Sequence, residues 1–503
     1  MPDREERYLS GTSSGTDVKA QFADLQGRIS AVGPDQLGRF VVWSGTAAFA
    51  ALFSALSVSR FDRFLTFTFD FGIFDQGLWL LSRFREPFVT LRGLNLFADH
   101  SSYIMVFLTP LYWIWADPRL LLVLTVVALA LSAPLLYSIA RGIGVKPGMS
   151  TVLALGLLAH PATTWATWDN FHPELLTLPL ILAAVLLIVR ERPGWGVAAA
   201  ALALTAKEDV GLVIVPLGVW LAWRFRPRAA GIAIAVIGVA ALALNFLVLL
   251  PNLSPTGNVL YAGRYAAYGD GAFDILSGVA TQPGSLIGDL FTASHFSYLA
   301  AMLFALPLSL LSPVILLAAG PITAANMLST HTYQVDIRFH YTVYLLAVAA
   351  IAAAFGALWL QQRLKRSSYW AVVTLVVVAG FISFSFAPDN DDWGTQSPDP
   401  RIQAALAMIG PDDGVSAETT LATQLAHREH IYRFPNPFTS LDYSAPEVPH
   451  QPPTSEVDWV VLKPRFMEHI IYGEETLATL MGSGEWEVVI ENDSVLLLGR
   501  TGR

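Results

Sequence analysis

The chain has 503 residues, 54% of them apolar and only 14% charged, and its mean hydropathy of +0.50 excludes an ordinary soluble globular protein. It has no cysteine, so neither disulfides nor thiolate metal sites can contribute. The net charge of −9 divides unevenly: from Pro388 onward there are 19 Asp and Glu against 7 Lys and Arg, which separates a near-neutral membrane body from an acidic soluble tail.

Taken in order, residues 1–38 are polar and without sustained apolar period and read as a disordered cytoplasmic arm. The apolar run from Phe40 to about Ser59 starts too late and is too long for a signal peptide, and reads as the first membrane span. Further apolar runs extend to residue 387 and bring the expected number of spans to about eleven, several shorter than the roughly 20 residues a straight span requires. The run Tyr103–Ala116 would be a twelfth. With Pro110 in its middle and two Trp and two Tyr, it reads instead as an interfacial or re-entrant segment. Leaving it out puts Arg141, Lys146, Arg190, Arg192, Arg224, Arg226, Arg228, Arg363, Lys365 and Arg366 on the side of the N-terminal arm, which positive charge assigns to the cytoplasm. The six histidines of the membrane body, and every carboxylate between Arg60 and Pro388 except Glu191, then fall on the outer side. The expected architecture is an α-helical polytopic membrane domain over 39–387, with a large first outer loop at 60–118. An extracytoplasmic α/β or α+β domain follows over 388–503. Its expected elements are a turn-rich linker, a helix near Arg401–Ile409, a strand at Asp458–Leu462, and a pair at Trp486–Ile490 and Val495–Leu498 around an Asn-Asp turn.

Carboxylates beside a bilayer are costly unless solvated, paired or used, and five clusters stand out. The stretch FDFGIFDQGLW carries Asp70 and Asp75, whose five-residue offset aligns them poorly on a helix. One can act as a general base, with a pKa raised by partial desolvation, while the other pairs or caps; solvated loop residues are the bland alternative. Asp99-His100 ends the same loop and suits either a phosphate or a divalent cation. WATWDNFHPELL holds Asp169, His172 and Glu174, although Pro173 and Glu174 are also plain helix-start chemistry. TAKEDVG places Lys207, Glu208 and Asp209 together, which implies an internally paired Lys or a hydrophilic hairpin. Arg264, Arg338 and His340 lie in Tyr-rich loops that suit sugars and phosphates as well as interfacial anchoring. No repeat, Gly-rich nucleotide loop or Cys/His metal spacing is present, and nothing points to nucleic acid.

The order of FDFGIFDQGLW, FADHSSY, FHPELLTLPL, TAKEDVGLVIVPLG and VSAETTLATQLAHREHIYRFP resembles a bacterial multi-pass membrane family of unknown function. That family is similar in turn to GT-C type glycosyltransferases. One departure is that the family's GDHFSP-like turn stands here as ADHSSY, without the Pro. The resemblance implies a glycosyltransferase of the bacterial plasma membrane. It would use a polyprenyl-phosphate-linked sugar and a cell-wall glycan or lipid acceptor among the membrane lipids, with Asp70 as base. Asp75 or Asp99 would orient acceptor or metal, and Lys207 and Arg338 would hold the donor phosphate. A transporter or flippase of lipid-linked intermediates and a non-catalytic envelope scaffold are the alternatives.

Overall fold

The computed structural model describes residues 33–394, 397–439 and 452–502; most of the expected N-terminal arm lies outside them. The first helix runs Pro34–Asp62, longer at both ends than the run Phe40–Ser59. Pro34 pre-sets its first turn, and Asp35 anchors that turn by accepting from Arg141 Nε at 2.6 Å and from Tyr137 Oη at 3.0 Å. At the far end Arg119 pairs with Asp62 at 2.6 Å. The helix therefore lies along Arg119–Gly142 with an ion pair closing each end of the seam.

Helix Val343–Gln361 forms the centre of the bundle, with its Ala-rich sequence buried almost all round, as expected for a helix without a polar face. Its small residues permit close approach: a Cβ at Gly356 would collide with the carbonyl of Leu308. Among the described residues, four helices are long and apolar enough to cross a membrane: Pro34–Asp62, Arg119–Gly142, Arg228–Leu253 and His340–Gln361. Pro283–Leu290 and Ala293–Phe304 make a pair bent by 56°, and five further apolar helices are shorter, Ile104–Ile114 with its internal Pro110 among them. The other expected runs are shortened by polar breaks, at His160-Pro161 between Pro147–Ala159 and Pro161–Trp168, and at Lys207–Asp209 between Pro193–Ala203 and Gly211–Arg224.

Between the first two long helices the chain forms a folded cap. It contains helix Ile73–Ser82 and a short hairpin of β1 (Phe88–Val89) and β2 (Leu94–Asn95). A single turn, Leu96–Asp99, follows and is capped by Asn95, which accepts from the amide of Phe97 at 3.0 Å. The C-terminal region forms a mixed sheet of β3 (Val415–Ala417), β4 (Ile431–Arg433), β5 (Trp459–Leu462), β6 (Trp486–Glu491) and β7 (Leu496–Arg500) in the order β4-β3-β5-β7-β6. β3 runs parallel to β4 and β5, whereas β7 is antiparallel to β5 and β6. The linker ahead of it is clamped to the bundle, since Trp165 Nε1 donates to the Phe386 carbonyl at 2.7 Å and Trp168 Nε1 to that of Asp392 at 2.9 Å. The sheet domain is seated on the end of the first helix and the start of the cap: Gln424 Nε2 reaches the Phe61 carbonyl at 2.7 Å, and Lys463 Nζ reaches that of Phe64 at 2.9 Å.

Candidate functional site

The cap brings Asp70 to the mouth of a buried charged cluster. Between the first helix and Ile73–Ser82 the chain is irregular: Phe69 is extended and Asp70 lies at φ 66, ψ −73. A non-Gly residue there costs on the order of 1–3 kcal/mol and persists only where its surroundings impose it. The Asp70 side chain keeps 40% of its surface, and its Oδ2 lies 3.3 Å from Nε2 of a buried His172.

Behind it the groups alternate in charge. Asp169, at the end of helix Pro161–Trp168, accepts from the His340 amide and faces its Nδ1, both at 2.9 Å. The same Asp169 oxygen is 3.7 Å from His172 Nδ1. The His172 and His340 rings stack with centroids 3.7 Å apart. His340 Nε2 lies 3.4 Å from Glu174 Oε1, which Lys207 Nζ holds at 2.6 Å. Glu208 accepts from the Ser101 amide at 3.1 Å and faces His100 Nδ1 at 2.8 Å, and Tyr344 donates to Asp209 at 2.9 Å. Asp99 is held by Arg92 at 3.1 Å and by the Tyr261 hydroxyl at 2.5 Å. Tyr261 also stacks on His100, and the Arg264 guanidinium lies 4.3 Å from the Tyr261 ring centroid.

Burial works against charge on Asp70, but the imidazole of His172, with His100 and Lys207 farther off, outweighs it and holds the carboxyl below its ordinary value. The raised pKa anticipated for a base in this loop is therefore not found, and Asp70 stands ionised. Burial pushes Asp169 up to about 7. Burial lowers His172, but the Asp169 and Asp70 carboxylates carry it to about 9. Glu208 is disfavoured as an anion by burial, yet the charge of His100 draws it down to about 2.

Asp75 and Arg338 stand apart from this cluster. Asp75 is fully buried and receives the Tyr112 hydroxyl, with His427 Nε2 of the sheet domain 3.0 Å away. Arg338 is bound through both ends of its guanidinium to Asp336, 2.7–3.1 Å away, at the surface. Among the described residues Asp169, His172 and His340 can offer one metal-ligand atom each within 4.8 Å of one another; Asp99 and His100 instead face separate partners. Sequence reasoning gave no role to Arg92, Tyr112, Tyr344 or His427. Tyr112 lies in the Tyr103–Ala116 segment and His427 in the VSAETTLATQLAHREHIYRFP motif, the local signals that pointed toward them.

A helical bundle with short polar breaks, a folded first loop and a small C-terminal sheet defines a polytopic helical membrane protein. Its fold matches that of ArnT from Cupriavidus metallidurans bound to undecaprenyl phosphate, with a TM-score of 0.51 at 14% identity over 90% of this chain and 98% of that one. The Archaeoglobus fulgidus oligosaccharyltransferase, in complex with Zn and sulfate, aligns with a TM-score of 0.43 at 13% identity, over 83% of this chain and 68% of that one. No curated protein sequence matches the chain. The chain belongs to the family described as Predicted membrane protein (DUF2079), whose model matches residues 60–497.

Proposed function

We propose that this protein transfers a sugar from a polyprenyl-phosphate donor to a hydroxyl of a cell-envelope acceptor, with Asp70 as general base. The observation that carries the reading is Asp70 itself, an ionised and accessible carboxylate in a strained turn, backed by a buried imidazole. The ArnT likeness supplies a fold in which a polyprenyl phosphate is bound. In the proposed step the acceptor oxygen attacks the anomeric carbon as the bond from that carbon to the phosphate oxygen breaks. The electron pair leaves with the polyprenyl phosphate, the hydroxyl proton passes to Asp70, and configuration inverts. A phosphate leaving group needs no protonation, so a base and a cation suffice.

For the cation, Arg264 replaces the pair first considered. Lys207 is neutralised by Glu174 and Arg338 by Asp336, whereas Arg264 is half-buried beside Tyr261 and, among the described residues, makes no ion pair. Asp75 takes a positioning role, linking cap and sheet domain through His427. We infer about eleven membrane-crossing segments, the shorter ones tilted or broken around the buried charged cluster. The arginine-rich turns face the cytoplasm and the sheet domain faces outward. A transporter would need the charged cluster reachable from both ends of the bundle; its members all come from the turns at one end. Mass spectrometry of envelope glycans and polyprenyl-phosphate sugars in a deletion strain tests the proposal. Loss of one glycan with accumulation of one lipid-linked sugar is expected, and unchanged pools would refute it.

A further inference from the structure

We propose that Asp169, His172 and His340 form a binding site for a divalent metal ion of the zinc type. The inference does not depend on the transfer reading.

Three donor atoms lie close together, with a carboxylate behind each ring. The inner atoms are Asp169 Oδ2 and the two Nδ1 nitrogens, 2.9 Å from His340 and 3.7 Å from His172. Ligand atoms about 2.0–2.2 Å from a tetrahedral zinc lie roughly 3.4 Å apart, midway between these separations. The outer nitrogens each have a carboxylate nearby, Asp70 3.3 Å from His172 Nε2 and Glu174 3.4 Å from His340 Nε2. A carboxylate behind each imidazole is the usual support for a metal-bound histidine.

His172 supplies a second, independent observation. It is 3% exposed, and neither ring nitrogen makes a hydrogen bond, since the contact to Asp70 is off the line that a bond requires. A buried polar group left in that state costs free energy, and a metal at Nδ1 would relieve it. Two imidazoles and one carboxylate are an ordinary donor set for zinc. Three protein ligands leave a fourth position for water or an anionic oxygen.

The test uses the full chain purified in detergent, stripped with chelator and reloaded with Zn²⁺ or Co²⁺. One metal ion per chain is expected by elemental analysis. The Co²⁺ form should show tetrahedral visible bands, and X-ray absorption should show nitrogen and oxygen neighbours at about 2.0–2.1 Å. His172→Gln, His340→Gln and Asp169→Asn should each weaken binding by more than the roughly 10–100-fold expected for the supporting Glu174→Gln. Asp99→Asn and His100→Gln should leave it unchanged. Absence of bound metal in the wild-type chain would overturn the site, as would full loading of His172→Gln at unchanged affinity. The wild-type absorption spectrum decides the matter even if a ligand variant misfolds. Metal content and envelope glycans are separate readouts, so either proposal can fail alone.

Discussion

At the scale of single residues, the cluster is built from pairs whose members are far apart in the chain. Lys207 and Glu174 bury 94% and 97% of their side chains around a 2.6 Å contact. Removing one partner strands the other charge, which typically costs about 3–5 kcal/mol, whereas replacing both by apolar groups is often neutral. Lys207→Met should therefore lower thermal stability in detergent markedly, and the Lys207→Met/Glu174→Leu double variant should recover most of the loss. Equal destabilisation by both would show that the pair is not coupled. Both residues stood out in the sequence, as charges at polar breaks, and an internally paired Lys was anticipated. Its partner was not legible, because spacing reveals neighbours on one element and not contacts between elements. Arg338 shows the same limit: its isolation in a Tyr-rich loop gave no sign of the bidentate contact with Asp336.

At the scale of elements, the sheet domain and the cap meet where His427 lies beside Asp75 and Tyr112, with its ring stacked on Trp79. Burial lowers the His427 pKa, but the Asp75 carboxylate more than reverses this and holds it above the ordinary value of 6.5. A folded-state pKa above the unfolded one contributes stability that is fully present below pH 6.5 and is lost as pH rises through the raised value. Hydrogen exchange at residues 426–429 should accelerate as pH is raised across that window, after correction for intrinsic rates. His427→Gln should flatten the dependence; a wild-type chain with no such loss would remove His427 from the docking. The helix and closing strand pair of this domain were readable from alternation and turn residues. The parallel strands β3 and β4 are only three residues each, too short to show a period. In the bundle, apolar runs marked the helices, but the breaks at His160 and Lys207 left most of them shorter than a straight span.

For the whole molecule, sidedness is the claim that connects fold to function. The chain has no cysteine, so single introduced thiols report topology cleanly. Glu487 lies exposed on the sheet domain and Glu191 in an arginine-flanked turn. Glu487→Cys should react with a membrane-impermeant maleimide in intact cells, and Glu191→Cys only after permeabilisation. The reverse pattern would place the charged cluster in the cytoplasm and contradict the proposed use of an outer-face donor.

The central claim is that Asp70 accepts the acceptor proton, and the most direct measurement is complementation of the deletion strain with Asp70→Asn, followed by mass spectrometry of its polyprenyl-phosphate sugars and envelope glycans. A positioned base contributes roughly 10²–10⁴-fold. The variant should be present in the membrane at wild-type level and thermally stable, yet leave the lipid-linked sugar accumulated and the glycan product missing. Restoration of both pools to wild-type levels by Asp70→Asn would contradict the account.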